Sequence, residues 1–183
     1  MVGEIDAAVA RLKSRGAEKI FVAGHSLGAA AAVRYARLRR VDGLIALVPG
    51  HIPEGQRFAQ KVAASLQQAK AMPPGESGWF DDPNSLRMKP MHMKAGVYVE
   101  YFDPSGPMNF HDNLAGVRPG TPVLWVGGEA EAPGEKRADR AAFNALPRDP
   151  APKFAEVAAG HLDTPGAAGS VCAQWIREIA GRE

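Results

Sequence analysis

KIFVAGHSLGAAAAVRYA, residues 19–36, runs an apolar segment straight into Gly24-His25-Ser26-Leu27-Gly28 and then into a run of alanines. Lys19 to Ala23 is short, apolar and carries β-branched and aromatic residues, which predicts a buried strand. Residues 27–39 predict an alanine-rich helix. Between them one serine stands between small residues, as a chain needs when it bends too sharply for side chains at the bend. Such a strand-to-helix turn lifts the serine hydroxyl clear of a sheet. The helix then offers free N–H groups and its positive end to an anion in front of it.

Outward from this stretch the same alternation continues. Residues 3–15 predict a helix on the spacing of Ile5, Val9 and Leu12, stopped by Gly16. Gly43 to Val48 predicts a second buried strand, Pro122 to Val126 a third and Lys153 to Val157 a fourth. Residues 137–146 predict a helix, and a last one begins at Thr164-Pro165 with Val171, Trp175, Ile176 and Ile179 on one face. Helices alternating with short, largely apolar strands predict an α/β fold, a mostly parallel sheet with helices on both faces. About 70 residues separate the second and third strands, far more than a crossover needs. Within them residues 55–71 predict a helix, 72–83 a Pro/Gly-rich loop and 91–102 a helix. The whole chain, 1–183, is expected to form a single domain in which 51–118 is a cap or insert between those strands.

Bulk properties exclude several classes. Of 183 residues 45% are hydrophobic and 23% charged, and the net charge of +2 is too small for a general grip on nucleic acid or an anionic membrane. The arginines at 34, 37, 39 and 40 fall where a helix C-terminus favours cations. No stretch approaches the length of a membrane span. The single cysteine, Cys172, excludes an internal disulfide and reads as a structural thiol on an apolar helix face. With no signal-peptide pattern after Met1, the default compartment is cytoplasmic. Histidine spacing gives no metal site, there is no CxxC, and no phosphate loop with its lysine is present, so no cofactor or metal is expected.

A hydroxyl needs a base within hydrogen-bond reach to act as a nucleophile at neutral pH. Of five histidines, His161 sits in a short loop after the fourth strand, at the end of the sheet where such folds place their sites. His51 follows the second strand and is a candidate for substrate contact. His25 lies beside the serine and is expected to aim elsewhere, and His92 and His111 fall in the insert.

KIFVAGHSLGAAAAVRYA resembles the nucleophile elbow of the α/β-hydrolase superfamily. TPVLWVGGEAEAP (121–133) and AAGHLDTP (158–165) resemble that fold's acid and histidine loops, in the order serine, acid, histidine. The resemblance implies a serine hydrolase of carboxylesterase kind that cleaves an ester or thioester through an acyl-enzyme. Ser26 would be its nucleophile, His161 its base and Leu27 N–H an oxyanion donor. Gly24 and Gly28 would relieve the crowding at the bend. For the acid, glycine followed by two variable residues selects Glu131, with Glu129 next and Glu54 a distant third. The Met- and aromatic-bearing insert (Met91, Met93, Tyr98, Tyr101, Phe102) suggests an apolar or acyl group on the substrate, unless these residues are the insert's own core.

The resemblance also implies strands ahead of the elbow that this chain lacks, together with a second oxyanion donor. The chain therefore reads as a fragment of a longer hydrolase whose missing part could carry a signal. Otherwise it is a homo-oligomer paired through the edge of strand 19–23, or a non-catalytic module that binds a ligand or partner without turnover.

Overall fold

A computed structural model describes residues 1–53, 55–84 and 88–181. In chain order the elements are α1 (Val2–Lys13), β1 (Phe21–His25), α2 (Leu27–Leu38), β2 (Gly43–Leu47), α3 (Gln56–Lys70), β3 (Ser77–Asp81), β4 (Pro90–Lys94), α4 (Ala95–Phe102), α5 (Phe110–Ala115), β5 (Val123–Gly128), α6 (Pro133–Asn144), β6 (Lys153–Val157), α7 (Thr164–Ala167) and α8 (Gly169–Ala180). They divide into two compact units, Met1–Gly50 with His111–Glu183, and His51–Phe110.

The first unit is built on a four-stranded sheet in the order β1-β2-β5-β6, parallel throughout. The two central strands are buried along their whole length, as their unbroken apolar runs require when both faces are covered. On one face Ile45, Leu47, Leu124, Val126 and Val157 pack with Trp175 and Ile179 of α8. Leu44 and Ala46 alternate with these and point to the other face. Cys172 joins the α8 side of this cluster, and burial pushes its thiol up. The alanines of α2 (Ala29, Ala30, Ala32, Ala36) are buried, which lets that helix lie close on β1 and β2.

The edge strand β1 is less covered. Ala23 is exposed, and a groove of about 370 Å³ runs between α1 and the strand, lined by Ile5, Val9, Leu12, Phe21, Ala23 and Gly28. No residue of α1 is fully buried. Its polar anchor is Asp6, whose carboxylate accepts from Arg39 at 3.0 and 2.9 Å and from the Tyr35 hydroxyl at 3.0 Å. Those bonds, Arg39 first, hold the Asp6 carboxyl below its usual range.

The second unit packs α3 and α4 with the antiparallel hairpin β3–β4, in which Trp79 faces His92 and Phe80 faces Met91. Its core is Val62, Ala69, Phe80, Ala95, Tyr98 and Phe102, with Met91, Met93 and Tyr101 packed against it. Two expectations are corrected here. Residues 91–102 are a strand followed by a helix, because Met91 and Met93 alternate with exposed His92 and Lys94 at a period of two. The stretch 72–83 contains β3, where Gly78 gives room to the Phe80 ring and Met72. The Met and aromatic residues are spent on this unit's own core, so they carry no information about a substrate.

Candidate active site

At the end of β1 the chain turns into α2 within one residue. Ser26 has φ 53° and ψ −120°, a conformation that L-residues avoid and that costs on the order of 1–3 kcal/mol. Its N–H donates to Leu47 O at 3.0 Å, so the elbow is tied to the end of β2. Gly24 makes the bend possible. A Cβ there would stand 2.0 Å from Gly28 O and 2.6 Å from Ala29 N. Gly28 differs, because a Cβ added to it would meet nothing within 4 Å. The crowding lies on the strand side of the bend alone, which corrects the expectation for Gly28. A second strained residue stands close by. Val48, just after β2, has φ 35° and is fully buried, its N–H bonded to Val126 O at 2.9 Å.

His161 reaches the serine from the far side of the sheet. Strands β1 and β6 are its two edges, three strand spacings or roughly 14 Å apart. The loop after β6 therefore crosses over β5 and β2. At β5 it is held by Glu129 N–H to Val157 O (2.9 Å) and Ala130 N–H to Ala159 O (3.1 Å). Gly128 leaves room for the crossing, since a Cβ there would lie 2.6 Å from Ala159 O. At the other end His161 Nε2 is 3.0 Å from Ser26 Oγ. Ser26 and His161 are both half-buried.

Glu131 completes the line. Its Oε1 stands 3.4 Å from His161 Nδ1, and the carboxyl is buried. At that separation Oε1 forms no hydrogen bond. Burial, then the neighbouring Glu135 carboxylate, push the Glu131 carboxyl up to about 7, while His25 pulls it down. Asp139 is also pushed up to about 7, by burial and then by the charge of Glu131. Glu129 is exposed and takes part in the site only through its backbone; Glu54 lies outside the described residues.

The other sequence candidates are placed as follows. Leu27 opens α2, so its N–H belongs to the helix's first turn and has no acceptor within the helix. His51 is fully buried in the second unit, its Nε2–H donating to Tyr101 O at 2.7 Å and its ring set against Phe58 and Phe102. That enclosure holds backbone together and leaves no face for a ligand, contrary to the substrate-contact expectation. His92 is exposed beside Trp79.

Two residues of the site escaped the sequence. Gly50 faces the serine and histidine so closely that a Cβ would stand 2.8 Å from Ser26 Oγ and 3.3 Å from His161 Cε1. Its position after Pro49 reads as an ordinary turn signal. His25 is the other, with Nε2 2.7 Å from His161 O. Among the described residues no three His, Cys, Asp or Glu side chains converge as a metal site would need, and no helix is long and apolar enough to cross a membrane.

No family model matches the chain, and no curated protein is similar to it in sequence. Solved structures are similar in fold. The alpha/beta hydrolase GrgF from Penicillium sp. sh18 aligns over 97% of this chain and 70% of its own with a TM-score of 0.67 at 17% identity. The esterase domain of a Rhodothermus marinus protein aligns over 97% and 68% with a TM-score of 0.63 at 18% identity. The monoacylglycerol lipase of Paleococcus ferrophilus aligns over 97% and 73% with a TM-score of 0.60 at 20% identity. The chain spans about two thirds of the length of its structural neighbours, from 64% to 73% in the first of them. It has the α/β-hydrolase fold.

Proposed function

We propose that the chain carries the nucleophile, base and acid of a serine hydrolase that cleaves a carboxylic ester or thioester. The observation that carries this reading is the 3.0 Å approach of His161 Nε2 to the Ser26 hydroxyl, on a residue held at φ 53°. A hydroxyl so presented and so paired has the geometry of an activated nucleophile. Neighbours that are esterases and a monoacylglycerol lipase support ester chemistry over amide chemistry.

For His161 Nε2 to accept the Ser26 proton, the neutral imidazole carries its own proton on Nδ1, which faces Glu131. Ser26 Oγ attacks the acyl carbon as its proton passes to Nε2. The oxygen of the tetrahedral intermediate takes the negative charge in front of α2, where Leu27 N–H donates to it. Collapse breaks the bond to the leaving oxygen or sulfur, which takes the proton from Nε2, and leaves the acyl group on Ser26. Water then attacks the acyl-enzyme with His161 again as base, releasing the acid and restoring the hydroxyl. Through both steps Glu131, in its carboxylate form, stabilises the imidazolium. Its 3.4 Å separation from Nδ1 is of the kind that shortens once charge forms on the ring.

A second reading is a module of the same fold that binds without turnover. It is favoured by the lack of a hydrogen bond to Glu131 Oε1. A fluorophosphonate probe separates the readings. Covalent labelling of the folded protein that vanishes in Ser26→Ala supports the hydrolase, whereas an unlabelled folded protein refutes it. An alternative is that a second copy pairs along the edge of β1, where Ala23 is exposed; a monomer by light scattering overturns that.

A further inference from the structure

The residue before the serine is usually free to vary in such an elbow, yet here it is built into the site. We propose that His25 is a positioning residue, whose Nε2–H pins the main chain of His161 to the elbow and so sets the base against Ser26. The inference rests on the reading of Ser26 and His161 as nucleophile and base.

The loop that delivers His161 starts from the opposite edge of the sheet. Its holds at β5 end with Ala159, bonded to Ala130 N–H. Beyond Ala159 the chain turns tightly, with Asp163 N–H and Thr164 N–H both donating to Gly160 O at 3.1 and 3.0 Å. His161 rides on that turn, and its neighbour Leu162 is 83% exposed. Leu162 therefore does little to fix the turn on the β1 side. His25 Nε2 reaches it there, 2.7 Å from His161 O. A carbonyl oxygen only accepts, so Nε2 carries the proton and the tautomer of His25 is set. The two rings stand 5.0 Å apart between centroids, tilted at 49°, and with its Nε2 engaged by the carbonyl His25 steadies the base without taking the serine proton through that nitrogen. One residue, His161, is thus tied at two points, its carbonyl to His25 and its Nε2 to Ser26, while its Nδ1 faces Glu131 Oε1 at 3.4 Å. Only the first holds the backbone.

The test compares His25→Phe, which keeps the ring but has no donor, with His25→Gln, which keeps an N–H donor. The rate of Ser26 labelling by a fluorophosphonate is followed against probe concentration. Loss of this bond is expected to slow the maximal labelling rate about 10-fold in His25→Phe, with the half-saturating concentration unchanged, while His25→Gln stays within about 3-fold of the parent. Equal rates in the two variants overturn the proposal, as does a loss that appears only in the half-saturating concentration.

A second measurement needs neither activity nor a folded variant. Proton–nitrogen correlation spectra of the parent imidazoles at about pH 8, where an ordinary histidine is neutral, are expected to show His25 protonated on Nε2. Protonation on Nδ1 alone overturns the proposal whatever the kinetics. Should the folded parent not label at all, the hydrolase reading fails by itself. The clamp is then judged on these spectra and on whether the His161 signals move in His25→Phe and hold in His25→Gln.

Discussion

Replacing each elbow glycine by alanine gives opposite results if the bend is crowded on one side only. A Cβ at Gly24 would lie 2.0, 2.2 and 2.6 Å from Gly28 O, Gly28 C and Ala29 N. All three are backbone atoms of the first turn of α2, so no side chain can swing away. Relief requires moving α2 off β1 or releasing the turn at Ser26, and overpacking of this kind costs roughly 3 kcal/mol, the upper end of its usual range. At Gly28 a Cβ meets nothing within 4 Å, and alanine is the better helix former by about 0.5–1 kcal/mol. For a chain of this length a change of 1 kcal/mol moves Tm by about 2–4 °C. Gly24→Ala is therefore expected to melt about 6–12 °C below the parent and Gly28→Ala about 1–4 °C above it. Thermal unfolding followed by circular dichroism measures both. Equal destabilisation by the two substitutions, or a neutral Gly24→Ala, would refute the one-sided picture.

The strain at Ser26 has its own signature. Glycine accepts φ 53° freely and alanine does not, so Ser26→Gly is expected to be more stable than Ser26→Ala by about 1 kcal/mol in urea unfolding, though neither has the hydroxyl; the reverse order would show that the conformation is not strained. A further prediction concerns pH. Asp139 binds its proton more tightly folded than unfolded, so its contribution favours the folded state at low pH and is lost as pH rises towards about 7. Between pH 5.5 and 8 that amounts to up to about 2 kcal/mol, and Asp139→Asn is expected to narrow the stability difference between those two pH values accordingly. An unchanged difference in urea midpoints would show that burial does not perturb this carboxyl.

Apolar runs and turn residues determined the sheet. The two central strands, β2 and β5, follow from stretches with no polar side chain to place in a doubly covered layer, and the ends of all four parallel strands fall within a few residues of those expected. The bend at Ser26 was legible because a strand that turns directly into a helix needs a glycine at Gly24, whereas the order Ser26, Glu131, His161 came from the resemblance to α/β-hydrolases. The hairpin β3–β4 was not legible, since Met91 and Met93 suit a helix as well as a strand and only their packing against Phe80 and Tyr98 decides between them. Nor was the difference between Gly24 and Gly28, which depends on where α2 lies and not on what either residue is. His25 and Gly50 entered the site only through the fold. One points its ring at a carbonyl 136 positions away and the other leaves open the space beside Ser26 Oγ. Local sequence dictates dihedral preference and burial. Which atoms then meet across the top of a sheet is set by the crossing of loops from its opposite edges, and that belongs to the tertiary structure alone.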